Sequence, residues 1–484
     1  MELFRPHFPS PCPRRAALAV LALAVTSACQ SYEARPLDPP AHREAWQART
    51  LEGDSLAQLV ARLETVEAAR DVEFDPADGL SLAEGRLVAL VYNPDLRLAR
   101  LRVQRALATA ENAGLWADPQ LSFTLLNITE GIPNPWFIAP GLAFSIPLSG
   151  RLGIEEDLAD AGLRAELRRA RESEWRIELA VRQAWIEWSA AQLVVEENER
   201  LVAALGRLNG VASQLADLGE LPRPEATLFA VEEAQRRNRL LGQRGAVLAA
   251  EQRLRALLGL APDAPVELLP TFGERGRATD GRDLTHNLTL ARLADEYTAA
   301  EEALRLEIAL QTPDLWLGPQ YERDAGQDRV GLFGWITLPL WNANKLAIAE
   351  AQADREVARA AYETEIERLL GRLAAVEALR DAFARQRAEL EEGLVPLVDR
   401  QVTDAGRLMQ LGEGTSLVLL ESLMRAQATK LSLIEVHAAE ARAEAELDFL
   451  VGPAPREEPA ETESDDDQEP TRDRDDDTPT QPTH

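Results

Sequence analysis

Gly141–Gly150 reads GLAFSIPLSG, and Gly331–Asn342 reads GLFGWITLPLWN. The first stretch alternates as a β-strand does: Leu142, Phe144, Ile146 and Leu148 fall on one face, and Ala143, Ser145 and Pro147 on the other. In the second, Val330, Leu332, Ile336, Leu338 and Leu340 oppose Gly331, Thr337 and Pro339. Both end on Pro-Leu. A proline removes a ladder donor, so Pro147 and Pro339 mark the places where a strand gives way to a following helix. Around these short strands the chain is written for helix. Aromatic residues are only 5% of it, and Ala, Leu, Glu and Arg dominate.

The strand recurs because the chain is a tandem repeat. Asn93 and Asn287 lie 194 residues apart, as do Pro119 and Pro313; Pro147 and Pro339 are 192 apart, and Gly259 and Gly452 193. LGELPRPEATLFAVEEAQ from Leu218 returns as LGEGTSLVLLESLMRAQ from Leu411, again at 193. Five landmarks that hold their spacing define two copies of one unit, 85–263 and 284–455. The linker 264–283 between them contains the polar, Gly/Arg-rich TFGERGRATDGRD, Thr271–Asp283. Each unit reads in one order. A helix comes first (85–115, 286–311), then two strands (120–127 and 138–148; 315–322 and 329–340). A very long helical run follows (154–216, 343–410), then a Gly/Pro break and a return helix (223–259, 416–451).

The second long run carries Tyr362, Ile366, Leu369, Leu373, Val376, Phe383, Leu390, Leu394 and Leu397 at alternating steps of three and four, a coiled-coil seam. Arg380 and Arg387 occupy two seam positions, and Pro396 predicts a kink or local unwinding. Each long run is about 95–100 Å of helix. The return helix covers half of that, so the first and return helices of a unit are expected to stack end to end beside the long one.

At the N-terminus, Arg5, Arg14 and Arg15 precede the apolar run Ala16–Val25 and the small residues before Cys29. This is a secretory signal, 1–28. Its apolar run is too short for a membrane span, which takes about 20 residues, and no other segment approaches that length. The end of the signal resembles that of bacterial lipoproteins, in which the cysteine becomes the first mature residue and carries lipid. Thr26 departs from the usual Leu. The resemblance makes Cys29 the lipidation site, and Gln30 rather than Asp after it implies the outer membrane. An ordinary signal cleaved nearby is the alternative. Residues 29–84 would be a periplasmic linker segment. Cys12 leaves with the signal, so there is no disulfide framework.

A net charge of −29 argues against nucleic acid as a partner. Residues 456–484 hold 12 Asp and Glu against three Arg and almost nothing apolar, which predicts a disordered acidic tail. His7, His42, His286, His437 and His484 are scattered, and no pair has metal-ligand spacing. Without a Gly-rich phosphate loop, a nucleophile elbow or a metal cluster, neither an enzyme nor a cofactor is expected.

Four strands of 8–12 residues suit a membrane wall, whose strands need about 9–11. Leu121, Phe123 and Leu125 oppose Ser122 and Thr124, as a wall with one lipid face requires. The soluble alternative is a small sandwich on a helical protein. Four strands cannot close a barrel, and open edges are not tolerated in lipid. Several chains would therefore have to share one, and three would supply twelve strands.

The signal, the order of elements in each repeat and the strand ends IPLSGR and LPLWNANK together resemble the TolC-like outer-membrane efflux family. YNPDLRLARLRVQRA, Tyr92–Ala106, is similar to that family's opening helix motif, and PLWNANKLAIAEAQAD is most similar to its heavy-metal-cation branch. The resemblance covers 85–455. It implies a fold mostly α with a membrane β part: a twelve-stranded barrel of a homotrimer in outer-membrane lipid, on a long α-helical periplasmic tunnel. It also implies docking with a periplasmic adaptor protein and an inner-membrane efflux pump, and passive export of small molecules or metal cations. The turns at Gly219 and Pro222 and at Gly412 and Gly414 would form the periplasmic tip and the adaptor-docking surface. By alignment through Gly412, Glu421 falls on one of the family's two acidic entrance positions and Val418 on the other. Glu413 is a second acidic candidate by proximity. Three copies of Glu421 about an axis would attract cations; a plain surface glutamate is the alternative. A periplasmic helical scaffold or adaptor lipoprotein without a pore is the other class of reading.

Overall fold

The computed structural model describes residues 32–51, 74, 78–127, 129, 131, 133–273, 284–411, 413 and 415–453. Cys29, Gly412, Gly414 and the acidic tail lie outside them. The chain divides into two compact units, residues 1–49 and 50–484. In the first, helix α1 (Pro39–Gln47) starts at Asp38, whose carboxylate accepts from the Ala41 amide at 3.0 Å. The second holds the two repeats.

Repeat 1 opens with α2 (Leu82–Tyr92) and α3 (Pro94–Glu111), where the sequence predicts one helix. The break is chemical. Pro94 has no N–H to continue the ladder, and Asn93 stays extended, its side chain accepting from the amides of Asp95 and Leu96. Then come β1 (Gln120–Asn127), β2 (Trp136–Ile146), α4 (Arg151–Asp217, 67 residues) and α5 (Arg223–Leu257). Repeat 2 follows with α6 (Leu288–Ala309), β3 (Leu315–Asp324), β4 (Gln327–Ile336), α7 (Lys345–Ala388), a π-helical turn (Glu389–Leu394), α8 (Val395–Gln410) and α9 (Ser416–Val451). The strands pair antiparallel in the order β1-β2-β3-β4.

The register fixes how the repeats correspond. Leu121 lies opposite Leu142 in the first hairpin, and Leu315 opposite Ile336 in the second, a shift of 194 for both strands. The helices after the hairpins keep the same shift. Gly150 and Asn344, both in the left-handed conformation (φ 69° and 55°), cap α4 and α7. Pro147 and Pro339, 192 apart, are therefore not equivalent positions. Pro147 sits one residue past β2 and Pro339 three past β4, which stops at Ile336 and not near 340 as the alternation predicts.

The first and return helices of each repeat do stack end to end along the long helix. Asn93 donates to the Leu257 carbonyl at 2.8 Å, and Asn287 to the Leu450 carbonyl at 2.7 Å. At each joint a glycine follows the return helix, Gly259 (φ 74°) and Gly452 (φ 96°). A Cβ there would run into the carbonyl of Tyr92 or of His286, so the close approach and the backbone both require glycine. The described part of the linker, up to residue 273, straps the first repeat. Leu268 bridges to Leu80, the Trp185 indole donates to the Leu269 carbonyl at 2.9 Å, and the Thr271 amide to Ser189 Oγ at 2.9 Å. Leu80, Trp185, Leu254 and Leu258 are buried in the core beneath it.

In the second long run the seam is buried at Leu369, Leu373, Val376 and Leu390. It then changes register: Leu394 and Leu397 are exposed, while Val398 and Ala405 are buried. The π-helical turn between them adds one residue to a turn and rotates the buried stripe by one position. It immediately precedes Pro396, whose ring cannot accept an ordinary α-helical turn behind it.

Candidate channel wall, junctions and entrance

One face of the sheet is apolar. By register it carries Leu121, Phe123 and Leu125 from β1, Leu142, Phe144 and Ile146 from β2, Leu315 and Leu317 from β3, and Val330, Leu332 and Ile336 from β4. Leu121, Val330 and Leu332 are 77–83% exposed. The other face carries Ser122 and Thr124, the buried Ala139, Ala143 and Ser145, and an aromatic cluster in which Trp316 and Trp335 stack at 5.4 Å. Phe333 joins it and lies over Gly141, where a Cβ would come within 2.8 Å of the ring. Among the described residues, the edges of β1 and β4 have no partner strand.

Where the wall meets the helices, Asp314, one residue before β3, accepts from Ser145 Oγ at 2.9 Å and from Arg151 Nη2 at 3.1 Å. Arg151, the first residue of α4, also pairs with Glu155. The hydrogen bond it donates to Asp314 raises the Arg151 pKa above its ordinary value. This clamp joins strand 2, strand 3 and the first long helix. Neither serine nor aspartate stands out in the sequence, because the contact spans more than 160 positions. In repeat 2 the corresponding turn is held differently: Asn344 donates to the carbonyl and carboxylate of Glu307, at 2.8 and 2.6 Å.

At the far end of the helices, Gly219 (φ 76°) closes α4. Its amide reaches the Ala216 carbonyl and the Glu220 amide the Leu215 carbonyl, a Schellman motif. Pro222 then caps α5, its carbonyl accepting from Glu225. In the second hairpin the Glu413 amide makes the equivalent bond to Leu408. The structure places Glu413 and Glu421 on exposed surface near this turn, with Val418 also exposed. Glu421 accepts from Arg425 at 2.7 Å, one helical turn on, so its charge has a local counter-ion.

Behind the turns the two hairpins are tied by buried polar groups. Gln427 of α9 donates to Asn198 of α4 at 2.5 Å and accepts from Arg236 of α5 at 3.3 Å, and both amides are buried. No local pattern in the sequence marks the tie, because Gln427 shares its buried face with Ser422 and Thr429. Among the described residues no group of His, Cys, Asp or Glu could hold a metal ion, and no helix is long and apolar enough to cross a membrane.

No protein-family model matches the sequence, and no curated protein does. Solved structures do match. The outer membrane protein VceC from Vibrio cholerae is 19% identical, over 77% of this chain and 96% of that one, with a TM-score of 0.66. The outer-membrane channel OprN is 16% identical over 80% and 95%, with a TM-score of 0.68. The CmeC outer membrane channel of Campylobacter jejuni is 13% identical over 88% and 93%, with a TM-score of 0.67. At such identities the likeness is one of fold, and the fold of this chain is that of the TolC-like outer-membrane efflux channels.

Proposed function

We propose that three copies of this chain close a twelve-stranded barrel in the outer membrane, continued into the periplasm by the long helices. The assembly is a passive conduit that takes small molecules or metal cations from a periplasmic adaptor and an inner-membrane pump. One observation carries the reading: a four-stranded antiparallel sheet with an exposed apolar face and two unpaired edges. Such a sheet is stable in lipid only once its edges are closed by other copies. The likeness in fold to named outer-membrane channels supports it.

In this reading Cys29 carries the lipid anchor. Pro147 and Pro339 lie at the barrel-to-tunnel joint. Gly219, Pro222, Gly412 and Gly414 shape the adaptor-docking tip, and Glu421 with Glu413 lines the entrance. No covalent chemistry is involved. The protein should resist a carbonate wash of outer membranes, run as a trimer in detergent, and conduct ions in planar bilayers. A monomer released by the wash and silent in bilayers would instead be the pore-free lipoprotein scaffold. At the entrance, Glu421→Ala should lower cation preference in single-channel recordings; unchanged conductance and selectivity would remove Glu421 from the gate.

A further inference from the structure

The spacing that relates the two hairpins also specifies how one copy would take hold of the next. We infer that the segment after β4 pairs antiparallel with β1 of a second copy in one register: Ile336 opposite Leu125, Leu338 opposite Phe123, and Leu340 opposite Leu121. The inference rests on the oligomeric barrel proposed above and adds the alignment of its seams.

The chain contains its own template. The β2–β3 seam joins the second strand of repeat 1 to the first strand of repeat 2, with Ser145 opposite Trp316 and Ile146 opposite Leu315. A ring of copies repeats that junction between β4 of one chain and β1 of its neighbour. The shift of 194 holds within the hairpins and at the capping residues Gly150 and Asn344. Carried across the seam, it sets Pro339 opposite Ser122 and Leu340 opposite Leu121.

Two further observations agree. β2 runs on to Ile146 although β1 begins only at Gln120, opposite Ala143, so Phe144–Ile146 are held in strand by β3 alone. Their counterparts Leu338–Leu340 have no strand on that side, and β4 ends at Ile336 with Leu338 and Leu340 exposed. The strand that the alternation predicts to 340 thus lacks its partner among the described residues of one chain. The chemistry also matches. The register sets three apolar pairs on one face, all six side chains exposed in the single chain, and sets Thr337 opposite Thr124 on the other. A slip of one residue would turn every side chain of one strand to the wrong face.

The test is disulfide trapping in the full chain in outer membranes, because directly opposed cysteines on neighbouring strands lie within bonding range. Thr337→Cys with Thr124→Cys should give covalent dimers and trimers on a non-reducing gel, while either single variant stays monomeric. Leu338→Cys with Phe123→Cys, on the other face, should do the same. The pairs of Thr337→Cys with Ser122→Cys or with Leu126→Cys, shifted by two, should trap less than a tenth as much. Equal or greater trapping by a shifted pair, or none by either matched pair in a particle of oligomeric mass, overturns the register. A monomeric mass for the unsubstituted protein overturns the barrel reading itself, and the register with it.

Discussion

Arg387 occupies a position where the heptad asks for an apolar side chain, and it is held there by a carboxylate. Its Nε lies 2.5 Å from Glu440 of α9, itself almost fully buried, and Glu391 takes a second N–H at 2.8 Å. The hydrogen bond to Glu440 raises the Arg387 pKa. Glu440→Ala leaves a guanidinium in the seam without its main partner and should cost about 3 kcal/mol, read as a lowered thermal unfolding midpoint in detergent. A second cluster ties the repeats together. Arg292 of α6 reaches Glu172 at 2.5 Å and Glu296 at 2.8 Å, and Arg169 of α4 reaches Glu296 at 2.6 Å. For Glu296, burial pushes the pKa up, but hydrogen bonds from Arg292 and Arg169 outweigh it, and the folded pKa is lowered. Its contribution to stability is therefore present above the unfolded value of about 4.3 and lost as pH falls through the lower folded value. Glu296→Gln should lower the unfolding midpoint at neutral pH, and the gap to the parent should narrow as pH falls below the ordinary glutamate range. A gap that persists in acid would show that Glu296 acts through packing.

At the scale of elements, the π-helical turn shows where a pattern argument stops. Steps of three and four carry the stripe from Leu390 to Leu397, yet Val398 is the buried residue and Leu397 is 58% exposed. Val398→Asp should cost more than about 2 kcal/mol, and Leu397→Asp about 0.5 kcal/mol or less, by the same melting measurement. Equal costs would mean that the stripe is not rotated. Pro396 predicts a disturbance, but its form depends on how the neighbouring helix fills the seam. The helix split at Asn93–Pro94 is similar: a break chemistry forecasts, adjusted by the Leu257 carbonyl that Asn93 reaches across the joint. The helix ends were more legible. Gly219 and Gly259 both close Schellman turns, a role that a glycine after a long amphipathic run announces.

At the scale of the molecule, the proposed function rests on the sheet. In the proposed barrel an arginine on its apolar face would enter lipid, whereas one on the opposite face would have water within reach. Phe123→Arg should deplete the protein from outer membranes, by about 2–4 kcal/mol of insertion free energy if the site lies near mid-depth, while Thr124→Arg should insert normally. Equal insertion of both would place the sheet outside the bilayer. The candidate site was legible to different depths. The apolar alternation of Leu121, Phe123 and Leu125 is a local property and was plain in the sequence. The Asp314–Arg151–Ser145 clamp and the Gln427–Asn198 tie join positions more than 160 residues apart, and no local pattern marks them.

The order of elements, their approximate bounds and the two-fold repetition were determined by sequence alone, because hydrophobic period, proline and glycine act within a few residues of themselves. Tertiary structure decided what depends on a neighbour. It set the stripe rotated at the π turn, the strand that stops at Ile336 for want of a partner, and the true repeat offset at the strand ends. There Pro147 and Pro339 look alike, but the hairpin registers and the left-handed caps Gly150 and Asn344 align a different pair. A ladder of hydrogen bonds fixes register between strands, and that pairing is made across the sheet rather than along the chain.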